Sequence, residues 1–144
     1  MSSIHDLFSG MRAAASGMAA ERVRIDVIAR NIANAEVTKM PDGSGPYRRQ
    51  VVHFEPILQR LADGSRTSSG VHVSKIDDDT KTPFEIIHDP SHPDADALGN
   101  VTMPNVNTTK EMADMITAMR AYESNINAQD NFVRMAERAL RLAQ

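Results

Sequence analysis

The chain has 144 residues, 41% apolar content and no cysteine, which suffices for one ordinary domain and excludes disulfide and thiolate chemistry. A formal net charge of −3 gives nucleic acid or an anionic membrane no electrostatic hold as main partner. With no Trp, four Phe, two Tyr and nine Met, the aromatic area that usually fills a core is scarce, so a thin core is expected.

The opening segment, MSSIHDLFSG, has neither a basic n-region nor a continuous apolar run, so no cleavable signal peptide is expected. No stretch approaches the roughly 18 apolar residues of a membrane span, so membrane insertion is not expected either.

Residues 3–34 carry a heptad: Ile4, Leu7, Met11, Ala14, Met18, Glu21, Ile25, Ile28 and Ile32 alternate by three and four, with Glu21 the one polar member. This spacing predicts an amphipathic helix of about 48 Å, with Ser3 and Asp6 as a capping pattern. The small cluster AAASGMAA (13–20) lies inside it. Gly17 costs about 1 kcal/mol of helix stability relative to Ala, a loss that close approach of a neighbouring backbone would offset. Asn31 and Asn34 fall where the helix should end, and their amides are suited to bond exposed backbone groups there or on a neighbour.

The pattern then changes. MPDGSGPY (40–47) is turn chemistry. YRRQVVHF (47–54), GVHVSKI (70–76) and FEIIHD (84–89) read as short strands, with LADGSRTSSG (61–70) a polar loop. In DPSHPDADALGNVTMPNVN (89–107), together with His88, two imidazoles and several carboxylates crowd one short stretch. His88 and His92 have the spacing of two ligands on a helix face, but Pro90 and Pro93 prevent a helix there. A calcium loop starting at Asp77 fails because its sixth position is Thr82 and its twelfth His88. Nucleophile elbows and glycine-rich phosphate loops are absent from the sequence. The stretch therefore reads as a connector, with Gly99 at a sharp bend and an extended run toward Thr108. No metal, cofactor or small-molecule substrate is expected.

A second heptad closes the chain: Met112, Met115, Met119, Tyr122, Ile126, Gln129, Val133, Ala136 and Leu140. Thr108 and Glu111 form an S/T-x-x-E capping box before it. The expected organisation is a helix in 1–35, a small β-rich middle in 36–107 and a helix in 108–144. The fold class is mainly α, with the two helices packed as an antiparallel coiled coil. Pairing a positions of one helix with d positions of the other allows two registers. Met18 faces Tyr122 and Ile25 faces Met115 in one; Met18 faces Gln129 and Ile25 faces Tyr122 in the other. Two long stripes with so little to cover them favour an assembly.

Several segments resemble a known family. HPDADALGNVTMPNVNTTKEMADMITAMRAYESN is similar to the C-terminal signature of flagellar basal-body rod proteins, and most specifically to those of the proximal rod. AAASGMAAERVRIDVIARNIANAEVT resembles the N-terminal motif shared by rod, hook and hook-associated proteins, and PYRRQVVHF is again similar to proximal rod subunits. Leu98 and Asn100 depart from the pattern. The resemblance implies a structural, non-enzymatic subunit that is exported by the flagellar type III apparatus. It also implies helical stacking, with copies of itself and other rod subunits, into a tube that carries torque across the periplasm. On this reading the subunit interface comprises Leu7, Met11, Ala14, Gly17, Met18, Ile25, Ile28, Asn31, Ile32 and Asn34 on the first helix. On the second it comprises Met112, Met115, Met119, Tyr122, Ile126, Val133 and Leu140. Arg120 and Glu123 are candidates for pairing across subunits. Two rival classes remain: a cytoplasmic coiled-coil adaptor or secretion chaperone, and a metal-dependent enzyme.

Overall fold

A computed structural model describes the backbone of residues 2–60 and 64–142 and the side chains of residues 8–60 and 64–141. The element order is α1 (Ser2–Ala33), β1 (Gln50–Arg60), β2 (Arg66–Asp78), β3 (Glu85–His88), β4 (Asn100–Met103) and α2 (Thr108–Leu142). Two long terminal helices thus flank two small two-stranded sheets, β1–β2 and β3–β4. The capping pattern at Ser3 and Asp6 and the side chains of Ile4 and Leu7 lie outside the described residues.

Both helices follow from local chemistry. α1 is rich in Ala and lacks Pro, and it ends where the Arg30 carbonyl accepts both the Asn34 backbone amide at 3.1 Å and the Asn34 side-chain amide at 2.8 Å. Asn34 is therefore a helix-end cap. Arg30 in the last turn also complements the negative end of the helix dipole. At the start of α2 the expected capping box is replaced. Asn107, one residue earlier than Thr108, accepts the Lys110 amide on its side-chain oxygen at 2.9 Å and the Glu111 amide on its carbonyl at 2.9 Å. Glu111 does not reach back to the cap; its carboxylate is used elsewhere. Asn is at least as good an N-cap as Thr, which leaves Thr108 free to begin the helix.

β1 and β2 run longer than the alternation in the sequence suggests, because ladder pairing extends past the apolar residues. The Ser69 hydroxyl donates to the Ile57 carbonyl at 3.2 Å and the Ser74 hydroxyl to the His53 carbonyl at 3.3 Å, so the strands are antiparallel. β3 and β4 pair antiparallel, with Ile86 opposite Thr102 and Ile87 opposite Val101. The run NVTM, expected to be extended, is thus a paired strand.

The chain divides into two compact units. One comprises Asp26–Val51 and Ile76–Met115. It holds the large buried side chains among the described residues: Val27, Ile28, Tyr47 and Val101, with Asn31, Asn105 and Glu111. The other comprises Met1–Ile25, Val52–Lys75 and Ile116–Gln144. Among its described residues the buried side chains are Ala14, Ala20 and Ala118. Phe8, Phe54, Leu58, Ile116, Met119, Ile126 and Leu140 are exposed there. In this second unit Gly10 abuts the Phe132 ring and Gly17 the Asn125 amide; a Cβ on either glycine would come within 2.5 Å and 2.8 Å of them respectively. Seven residues forward on α1 match seven back on α2, so the two segments run antiparallel. Asn125 against Gly17 falls between the two registers expected for Met18.

Candidate functional site

The 26–51 and 76–115 unit is organised around Asn31, which is 1% exposed. Its side-chain oxygen accepts the Tyr47 hydroxyl and the Gln50 amide, both at 2.9 Å. Its amide nitrogen donates to the Gln50 carbonyl and to Glu111 Oε2, also at 2.9 Å each. A carboxamide has two acceptor and two donor positions, and all four are used. Asn31 thus bonds the first residue of β1 as a neighbouring strand would, while joining α1 to α2. It is not the helix cap that its position suggested.

Glu111, fully buried, completes the arrangement. Its Oε1 accepts Arg49 Nε at 2.7 Å, and the same guanidinium lies 3.6 Å from Asp79 and 3.9 Å from Asp114. Asn105, also buried, accepts the Arg49 backbone amide at 2.8 Å and donates to the Asp79 and Thr82 carbonyls at 2.9 and 3.0 Å. Burial raises the Tyr47 phenol above its ordinary range; Asp78 and Glu111 add to that, and Arg30 opposes it. Hydrogen bonds from the Thr82 hydroxyl and amide hold the Asp79 carboxyl below its ordinary range. A buried charge is tolerated when paired and hydrogen-bonded, and here each partner is supplied. These groups are committed to one another, which makes the cluster a clamp rather than a reactive centre.

The histidine- and aspartate-rich connector is occupied by its own turns. Asp89 accepts the Ser91 amide at 3.0 Å and hydroxyl at 2.6 Å. Asp96 accepts the Leu98 and Asn100 amides, both at 2.8 Å, and Asp94 accepts the Thr38 hydroxyl at 2.7 Å. His92 Nδ1 accepts the Asp94 amide at 3.1 Å, and His88 Nδ1 lies 3.2 Å from Asn100 Oδ1. Gly99, at φ 78°, makes the bend beneath Pro90, where a Cβ would be 2.9 Å from the proline ring. Of the two departures, Asn100 joins this turn and Leu98 is exposed. Among the described residues no group of three or more His, Asp or Glu is placed to hold a metal ion, and no helix is long and apolar enough to cross a membrane.

The expected interface residues separate into different environments. On α1, Ala14, Ile28 and Asn31 are buried within the chain, and Met11, Gly17, Met18, Ile25, Ile32 and Asn34 are half-buried. The side chain of Leu7 lies outside the described residues. On α2, Met115 and Tyr122 are half-buried, whereas Met112, Met119, Ile126, Val133 and Leu140 are exposed. These five recur every seven residues and form an apolar row on α2. The inward row is displaced by one residue: Glu111 and Ala118 are fully buried, and Asn125 and Phe132 are those that meet Gly17 and Gly10. Sequence reasoning missed Arg49, Tyr47, Asn105 and the clamp role of Glu111. The available signal was Glu111 itself, an acid directly beside the apolar seam.

Comparison with known proteins gives a family match at each end of the chain. Residues 11–39 match the family model for the flagella basal body rod protein, and residues 97–142 match that for the flagellar basal body rod FlgEFG protein C-terminal region. The chain is 42% identical to the flagellar basal-body rod protein FlgC of Borreliella burgdorferi, over 96% of this chain and 98% of the relative. It is 37% identical to that of Bacillus subtilis, over 95% and 98%, and 43% identical to that of Aquifex aeolicus, over 85% and 87%.

Proposed function

The chain belongs to the FlgC family of flagellar basal-body rod proteins, and from that premise we propose how its two helices serve a structural subunit of the rod. α1 and α2 pair as an antiparallel coiled coil that stacks with neighbouring copies into the tube of the proximal rod, with the β1–β2 ribbon outside it. The observation that carries this reading is the exposed row Met112, Met119, Ile126, Val133 and Leu140. A contiguous exposed apolar face marks a surface that a partner covers. The interior seam, built of alanine and glycine, supplies close approach but little apolar area of its own.

Its partners are copies of itself and other rod subunits, and the flagellar type III apparatus exports it. Its work is mechanical: many shallow, repeated contacts carry torque across the periplasm, and no substrate is turned over. The clamp at Asn31, Arg49 and Glu111 fixes where the helices leave the β-rich middle, so that each copy presents the same face to the next.

Deletion of the gene in its own bacterium tests the reading. Basal bodies purified from the deletion strain should lack the rod in electron micrographs, and the intact gene supplied in trans should restore it. Complete rods in the deletion strain would overturn the proposal.

A further inference from the structure

Glu21 is the one polar member of the α1 heptad, and the structure gives it an unusual place. Its Oε2 is buried and, among the described residues, is the buried side-chain oxygen or nitrogen without a hydrogen-bond partner. Arg24, one turn along the same helix, makes an ion pair with this oxygen at 3.7 Å, longer than a hydrogen bond. Glu21 also lines an open cleft of about 420 Å³ whose other walls include Ala13, Gly17, Ala20, Gly70 and Asn125. Ala and Gly in its walls leave room for an aliphatic stem, which Phe54 and Val71 can also contact, and the carboxylate supplies a charged end point.

We infer that this cleft receives an arginine side chain from α2 of a neighbouring copy of this chain, whose guanidinium donates to Glu21. The inference rests on the rod reading, which provides the neighbouring copies. Charge complementarity selects the occupant. A buried carboxylate oxygen held only by a 3.7 Å ion pair is better satisfied by a charge-assisted hydrogen bond, and a guanidinium fits a carboxylate with two parallel donors. Arg120, Arg134 and Arg138 are exposed on α2, and among the described residues no ion pair engages them.

Two measurements on the Glu21→Gln variant separate this role from an internal one. In the purified chain, removing a charge held only by the long Arg24 pair, which contributes little, should leave the thermal midpoint nearly unchanged or raise it. In cells carrying the variant as their sole copy, rods per cell should fall at least threefold. Glu21→Arg should abolish rods, and combining it with one of Arg120→Glu, Arg134→Glu or Arg138→Glu should restore them and identify the donor. Normal rod numbers with Glu21→Gln, a lowered midpoint of the purified variant, or failure of all three combinations would overturn the inference. If deleting the gene left rods intact, the rod reading itself would fail; if deletion removed rods but Glu21→Gln did not, this inference alone would.

Discussion

Asn31 donates to Glu111 across 2.9 Å between two fully enclosed side chains that are 80 positions apart in the chain. Removing the Asn31 amide leaves the Tyr47 hydroxyl, both backbone groups of Gln50 and one Glu111 oxygen without this partner. Asn31→Ala should therefore destabilise the protein by on the order of 3 kcal/mol, read from urea unfolding. Asn31→Asp should behave differently with pH. It sets a second carboxylate against Glu111, which raises the proton affinity of the pair, so its deficit should be largest at neutral pH and shrink as pH falls toward 5. A deficit that is constant with pH would mean that the two side chains do not meet.

Arg49 is the cation that makes the buried Glu111 tolerable. Arg49→Ala should cost about 3 kcal/mol or more, because it leaves the carboxylate unpaired. Arg49→Lys should recover part of this, since one ammonium cannot reproduce the Nε contact while staying near Asp79 and Asp114. Thermal midpoints of the two variants, ranked in the opposite order, would contradict the clamp.

The glycine at position 17 allows a graded test. Gly17→Ala gains about 1 kcal/mol of helix propensity and displaces only the mobile end of the Asn125 amide, so its stability should change by less than about 1 kcal/mol. Gly17→Leu should lose about 1–3 kcal/mol by overpacking, and Asn125→Ala in the same chain should return part of it. Independent, additive effects of the two substitutions would separate the residues.

The apolar row on α2 should matter to assembly and not to the single chain. Met119→Glu and Ile126→Lys replace exposed side chains, for which stability changes stay within about 0.5 kcal/mol. Both should nevertheless prevent rod formation, read as loss of swimming and of rods in purified basal bodies. A swimming double variant would remove this face from the interface.

Acid should loosen the connector first. Asp89 is held below the ordinary carboxyl range by the Ser91 hydroxyl and amide, and Asp96 by the Asn100 and Leu98 amides. A carboxyl whose folded pKa is depressed contributes stability that is full above its unfolded value, near 3.9, and is lost as pH falls through the folded value. The protection of the Leu98 and Asn100 amides, measured against their intrinsic exchange rates, should therefore fall below about pH 4, while Asp96→Ala should already lack it at pH 6. Unchanged protection of both amides down to pH 2 would refute the assignment.

The sequence by itself determined the two helices, their approximate ends, the turn-rich connector and the family resemblance. Periodicity and turn chemistry are local properties, readable wherever apolar residues recur every three or four positions and Gly and Pro interrupt them. It did not determine which face of α2 turns inward. A seven-residue repeat fixes a period, and two rows one residue apart share that period while pointing about 100° away from each other. The expected seam joined the apolar row Met112 through Leu140 to Met115, Tyr122, Gln129 and Ala136, and it is the second set that is half-buried. The tertiary structure turns the adjacent row inward instead, because Gly10, Gly17 and Asn31 offer close approach and a hydrogen-bonding partner to Phe132, Asn125 and Glu111. The clamp was hidden for the same reason. Asn31, Arg49, Asn105 and Glu111 lie in four different stretches of chain, and only folding brings their donors and acceptors within reach of one another.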